Sequence, residues 1–198
     1  MNNMTELADQ LRTIKLDKYI EFMLLGDPVK LLLVPLWAEP SVLPGVYQTS
    51  YNCAGDSVRC NLWDLADNAD ATCRMFPMDG TVNTGFDYCI IVYDTITRVK
   101  KEELDKWITI KDQICSRQHP ERQCELVVLV VKAPRTPSSK YSHIEKSCAK
   151  LKIHLIPVDN TKDGLDKIRS LLERLANLVY QKRKAKHHER IAELLSKR

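Results

Sequence analysis

Residues 58–94 read VRCNLWDLADNADATCRMFPMDGTVNTGFDYCIIVYD, and this stretch decides the fold. Ser57 to Trp63 alternates polar and apolar side chains, the two-residue period of a half-buried strand. Tyr88 to Tyr93 is continuously apolar and rich in β-branched residues, which suits a strand covered on both faces, as in a parallel sheet. A polar loop separates the two. Asp64 stands where the first strand stops, and in open α/β sheets ligands bind at such carboxyl ends.

The rest of the chain fits around that pair. At 198 residues it suits one domain with a sizeable core, and its 44% hydrophobic and 28% charged content is ordinary for a globular protein. A net charge of +4 is too small an excess to argue for nucleic-acid binding by itself. The seven cysteines, Cys53, Cys60, Cys73, Cys89, Cys115, Cys124 and Cys148, show neither a CxxC pair nor a His-Cys ligand spacing. The odd count, without a signal peptide, reads as reduced thiols in a cytoplasmic protein, with Cys89 and Cys115 as small core residues on apolar faces. Leu31 to Leu36 is far too short to span a bilayer and contains Pro35.

In chain order, Met4 to Arg12 carries Leu7 and Leu11 four apart behind Thr5, a short amphipathic helix. Tyr19 to Leu25 reads as the first strand, ended by Gly26-Asp27; an alternative register places that strand at Lys30 to Leu36. Three prolines and one glycine between Pro35 and Gly45 exclude a regular helix there. Gln48 to Ala54 pairs with Ser57 to Trp63 through a turn at Gly55-Asp56. Thr97 to Gln118 reads as a helix with acidic residues near its start and an apolar stripe of Leu104, Trp107, Ile108, Ile114 and Cys115. Glu125 to Val131 is a buried strand, Tyr141 to Lys150 a helix and Leu151 to Pro157 the last strand. Asp163 to Tyr180 shows the clearest helical spacing: Leu165, Ile168, Leu171, Leu172, Leu175, Leu178 and Val179. The tail, Gln181 to Arg198, continues the helix with the basic run KRKAKHHER, read either as a solvated helix end or as a patch for RNA, nuclear import or an acidic partner.

WDLADNADA followed by FDYCIIVYDTITRVKKEELDKW resembles the Ras-like small GTPases, particularly their Rab and Ran branches. There one strand ends in Trp-Asp-Thr-Ala-Gly-Gln and a later one in Tyr-Asp before a helix. The likeness runs from about Tyr19 to Tyr180. It implies a three-layer α/β fold of the P-loop NTPase type, a mostly parallel sheet of about six strands with helices on both faces.

The nucleotide motifs of that family are damaged throughout. In GxxxxGK[ST] the glycines turn successive backbone N–H groups toward the phosphates and the lysine adds positive charge. Gly26 and Lys30 remain, but their interval is two residues short, the second glycine is gone, and neither Ser nor Thr follows Lys30. Pro28 removes one further N–H donor. Asp64 is kept where the family holds magnesium, whereas Asp67 replaces the glycine that meets the terminal phosphate. At an effective dielectric of about 20, two like charges ~4 Å apart repel by about 4 kcal/mol. Asn68 replaces the glutamine that orients the attacking water. The guanine-reading Asn-Lys-x-Asp becomes Val131-Lys132-Ala133-Pro134, and Val158-Asp159-Asn160 takes the place of Ser-Ala-Lys. Thr49 is the one candidate for the first-switch threonine.

The sequence therefore leads us to expect a pseudo-GTPase: a domain over residues 1–180 with a basic helical tail over 181–198, acting as a protein–protein interaction module. No catalytic, cofactor or metal residues are expected. Arg74, Met75, Phe76 and Met78, in the former second-switch segment, are the candidate partner-binding residues. No cysteine follows Cys148, so no prenyl membrane anchor is expected, and nucleic acid would be reached only through the basic tail. The alternative is a divergent GTPase that keeps a pocket from Gly26, Lys30, Asp64 and Lys132.

Overall fold

The computed structural model describes residues 16–27, 34, 38–43, 45–65, 85–95, 101–118 and 124–196. In chain order the elements are β1 (Tyr19–Gly26), β2 (Glu39–Pro40), β3 (Val46–Cys53), β4 (Asp56–Asp64), β5 (Tyr88–Asp94), α1 (Lys101–Gln118), β6 (Glu125–Lys132), α2 (Ser142–Leu151), β7 (His154–Asp159) and α3 (Lys162–Ser196). The strands form one sheet in the order β2-β3-β4-β1-β5-β6-β7. Pairs β4·β1, β1·β5, β5·β6 and β6·β7 are parallel, while β2·β3 and β3·β4 are antiparallel.

The apolar runs occupy the middle of this sheet. From Ile20 to Gly26 every residue of β1 is buried, and β5 is buried from Tyr88 to Tyr93. Alternation sends successive side chains to opposite faces. Phe22 and Leu24 meet Ile90 and Val92 under Ile168, Leu172, Ala176 and Tyr180 of α3. Met23, Leu25, Cys89 and Ile91 turn the other way, toward Leu104, Trp107, Ile110 and Ile114 of α1 and Ile144 and Cys148 of α2. Helices therefore cover both faces of a mostly parallel sheet.

Several expectations shift in detail. The sheet has seven strands among the described residues rather than about six. The addition is β2, inside the proline-rich stretch; at a sheet edge, Pro40 loses nothing by lacking an N–H. The Tyr19 register of the first strand is the one observed. The hairpin turn is Ala54-Gly55, one residue before the expected Gly55-Asp56, because Cys53 pairs with Asp56. Both turn residues have positive φ, 50° and 87°, the two-residue geometry that matches strand twist, and Asn52 Oδ1 accepts the Gly55 N–H at 3.1 Å. The last strand starts at His154 instead of Leu151. Helix α2 runs to Leu151 and closes on Lys152 in the left-handed conformation, with the Ile153 N–H donating to the Cys148 carbonyl at 2.8 Å. On α1, Ile110 is buried and Ile108 and Cys115 are only partly so, which rotates the core-facing stripe from the expected one. The expected helix at Met4 to Arg12 lies outside the described residues.

The end of β1 is the tightest point. Gly26 has φ +106°, and a Cβ built there would stand 2.1 Å from the Val92 carbonyl oxygen of β5. Only glycine lets the central strand come this close to its neighbour. Gly26→Ala combines a left-handed backbone with a clash against main chain, so it should destabilise the fold by about 3 kcal/mol. Urea unfolding checks this: the midpoint should fall with the slope unchanged.

Candidate functional site

Five strands end side by side on one rim of the sheet: β4 at Asp64, β1 at Gly26, β5 at Asp94, β6 at Lys132 and β7 at Asp159. The chain leaves β1 toward β2, β3 and β4, and leaves β5 toward β6 and β7. Between β1 and β5 the connections thus part in opposite directions, the kind of crevice where open α/β sheets bind ligands.

The backbone at this crevice is already engaged. The Asp27 N–H, the first donor after Gly26, points at β5 and gives its hydrogen bond to the Val92 carbonyl at 2.8 Å. The Asp27 carboxylate accepts the Asp94 N–H at 2.8 Å. Main chain and side chain of one residue thereby sew the exit of β1 to the exit of β5. Beside them, the Leu65 N–H donates to the Leu24 carbonyl at 3.1 Å and the Asp64 N–H to the Gly45 carbonyl at 2.8 Å.

Among the described residues, the charges at these strand exits are mainly negative. Asp27, Asp64 and Asp94 stand at the exits of three adjacent strands. Lys132 is two strands from β1, its side chain 16% exposed, and its Nζ lies 2.5 Å from Asp159 Oδ1. The Asn160 N–H closes the same corner onto the Lys132 carbonyl at 2.7 Å. The two residues, 27 positions apart in sequence, are thus paired at neighbouring strand ends.

Of the residues singled out by sequence, the structure brings Gly26 and Asp64 to neighbouring strand ends and places Lys132 across β5 from them. Thr49 pairs with Cys60 in mid-strand, well away from Asp64, so it does not reach this rim. Lys30, Asp67, Asn68 and the partner-binding candidates Arg74, Met75, Phe76 and Met78 lie outside the described residues. Among the described residues, no group of three or more His, Cys, Asp or Glu side chains could hold a metal ion.

The opposite rim holds a cluster that sequence reasoning missed. Helix α3 is continuous to Ser196, the helical continuation expected of the tail, and its basic run reaches back to the sheet. Arg183 donates to both oxygens of Asp87, at 2.7 and 2.8 Å, to Asp17 at 3.1 Å and to the Tyr19 carbonyl. Asp87 in turn accepts the Glu21 N–H at 3.0 Å. Lys182 pairs with Glu125 at 2.5 Å, and the Tyr180 hydroxyl donates to Asp56 at 2.7 Å. Hydrogen bonds from Lys18 and then Tyr180 hold the Asp56 carboxyl down at about 2. Burial of Tyr180, helped by that same acceptor, pushes its phenol up to about 12.

Next to this clamp lies Glu21, the one charged residue inside β1, 5% exposed. Burial raises its pKa; hydrogen bonds from Trp63 Nε1, at 2.5 Å, and Asn61 Nδ2, at 2.8 Å, partly offset this. Gln48 extends the row by donating to Asn61 Oδ1 at 3.1 Å, so a polar line crosses three strands on the face that also carries α1 and α2. The sequence did hold a signal for this cluster: a lone glutamate in the apolar run YIEFMLL, which in a buried strand must find donors.

Comparison with known protein families and with characterised proteins finds no match to this chain. Among the described residues no helix is long and apolar enough to cross a membrane.

Arg183 is 16% exposed and Asp87 7% at their side chains, so the pair is largely out of water. Truncating one partner of such a pair leaves the other charge buried. Arg183→Ala should cost about 3–5 kcal/mol, read as a fall in the denaturation midpoint, and Arg183→Lys, which keeps the charge but not the second nitrogen that reaches Asp17 and Tyr19, should fall between.

Proposed function

We propose that this chain is a degenerate relative of the Ras-like small GTPases that works as a protein–protein interaction module, an adaptor or complex subunit, with guanine-nucleotide binding lost or much weakened. One observation carries the reading most directly. A phosphate loop needs free amides after the first strand, and here the first of them, on Asp27, is hydrogen-bonded to Val92 while the carboxylate of the same residue caps Asp94. A triphosphate would also meet Asp27, Asp64 and Asp94 with Lys132 already neutralised by Asp159. The order of the parallel strands and the helices on both faces agree with the Ras-like resemblance of the sequence.

The partner surface we assign to Arg74, Met75, Phe76 and Met78, on their sequence alone: Met and Phe adapt to partner surfaces, and Arg is favoured at interfaces. The nucleic-acid reading of the tail is weakened because Lys182, Arg183 and Lys184 have carboxylate partners inside the molecule. Lys186, His188 and Arg190 are left on the exposed side of α3.

A divergent GTPase is the second reading, favoured by the meeting of Gly26 and Asp64 at the crevice where the connections part. Titration of the purified chain with a fluorescent GTP analogue and magnesium separates the two. The interaction-module reading predicts no saturation up to about 100 μM, whereas binding with a Kd near 1 μM, about −8 kcal/mol, would overturn it.

A further inference from the structure

We infer that the outward stripe of α3 is an interface for a second copy of this chain, whose own α3 runs antiparallel to it in a two-fold homodimer. Leu171, Leu178, Ala185 and Ala192 recur every seven residues, so they fall close to one line along the helix. The line turns away from the sheet. The core takes Ile168, Leu172, Ala176 and Tyr180, whereas Leu178 is 40% exposed and Ala185 and Ala192 are exposed as well. At the start of the line, Leu171 and Ile156 of β7 floor an open groove of about 550 Å³, with Ser170 and Arg174 on its wall.

The sequence of the helix chooses the orientation. In a parallel two-fold pair each residue meets its own copy, so the basic run from Lys182 to Lys186 would face itself. Turned antiparallel, with the two-fold axis between Gln181 and Lys182, the copies fit. Leu178 lies opposite Ala185 of the second copy and Leu171 opposite its Ala192, and symmetry makes each contact twice. A large residue against a small one lets the helix axes approach. Arg174 meets Glu189 of the second copy, and neither has an ion-pair partner among the described residues of its own chain. Lys182, beside the axis, is turned to Glu125 at 2.5 Å. The neighbouring register, with Leu178 facing itself, would set Arg174 against Lys182.

The same register fills the groove. Ala192 of the second copy comes over Leu171 and Ile156, with Glu193 opposite Ser170 and Glu189 beside Arg174. The part of α3 beyond Tyr180 thereby covers the open side of β7 in the other copy. β7 is an edge strand. The Asn160 N–H donates inward to the Lys132 carbonyl, so alternation puts Pro157 on the outer edge, where it offers no N–H to an added strand. This edge is suited to a covering helix rather than to strand addition. The interface is separate from the Arg74 to Met78 segment, and the inference stands independently of the nucleotide reading.

The test is sedimentation equilibrium of the full chain, with circular dichroism to show that each variant is folded. The inference predicts a reversible rise from 22.8 kDa to twice that mass, half complete below about 100 μM. Leu178→Asp, Arg174→Glu and Glu189→Arg, all at exposed positions, should each weaken dimerisation at least about tenfold. Arg174→Glu and Glu189→Arg combined in one chain should restore it to within about threefold of the parent. The two positions lie about 22 Å apart along one helix, so they cannot repair each other within a chain. Only an antiparallel second copy brings them together. A chain that stays at 22.8 kDa up to about 200 μM would overturn the assignment. So would a dimer that Leu178→Asp and Arg174→Glu leave unchanged, or a combined variant no better than the single ones.

Discussion

The molecule depends on how closely its central strand approaches its neighbour. β1 is covered on both faces and paired in parallel on both edges as far as Gly26. At Gly26 the strand meets the β5 backbone so tightly that even one methyl group would collide. The following residue then bonds to β5 with its amide and its carboxylate. At this exit both hydrogen-bonding groups of Asp27 are spent within the sheet. In an anion-binding fold the same exit would present its amides outward.

At the other rim, the sheet is held by side chains rather than main chain. α3, about 52 Å long at 1.5 Å per residue, overruns the roughly 26 Å strands that it covers. Its apolar face accounts for the part above the sheet. Beyond Tyr180 the contact is ionic, with Arg183 at the centre, gripping Asp87 from the middle of the chain and Asp17 from near its start. Contact with both Asp87 oxygens and burial of that carboxylate distinguish this pair from an ordinary surface salt bridge. It explains why a stretch as basic as KRKAKHHER is not simply a solvated appendage.

How much of this was legible depended on whether the signal was local. The apolar runs at Tyr88 and Glu125, the alternation before Asp64 and the spacing of Leu165 to Val179 announced strands and helix directly, because burial imposes a period on the residues that satisfy it. The helix ends were less legible. Lys152 adopts a left-handed cap that its side chain does not advertise, so α2 absorbed residues expected in β7. Least visible were contacts across long intervals. Nothing near Arg183 in sequence names Asp87. Glu21 was visible as an anomaly, a charge in a buried strand, but its donors Trp63 and Asn61 arrive only when β4 pairs beside it. The departures from the motifs of the family that the sequence resembles were legible residue by residue; the pairing of the Asp27 amide with Val92 and of Lys132 with Asp159 was not, and the candidate partner residues Arg74, Met75, Phe76 and Met78 lie outside the described residues.

The amide of Asp27 offers the most direct test of the central claim. In amide-resolved NMR of the labelled chain, its hydrogen should exchange as slowly as those in the middle of β1, and its resonance should not move when magnesium and excess GTP are added. Rapid exchange in the free protein, together with a large shift of the Gly26 and Asp27 amides on nucleotide addition, would contradict the account, since it would mean that the exit of β1 is open and its donors face a phosphate.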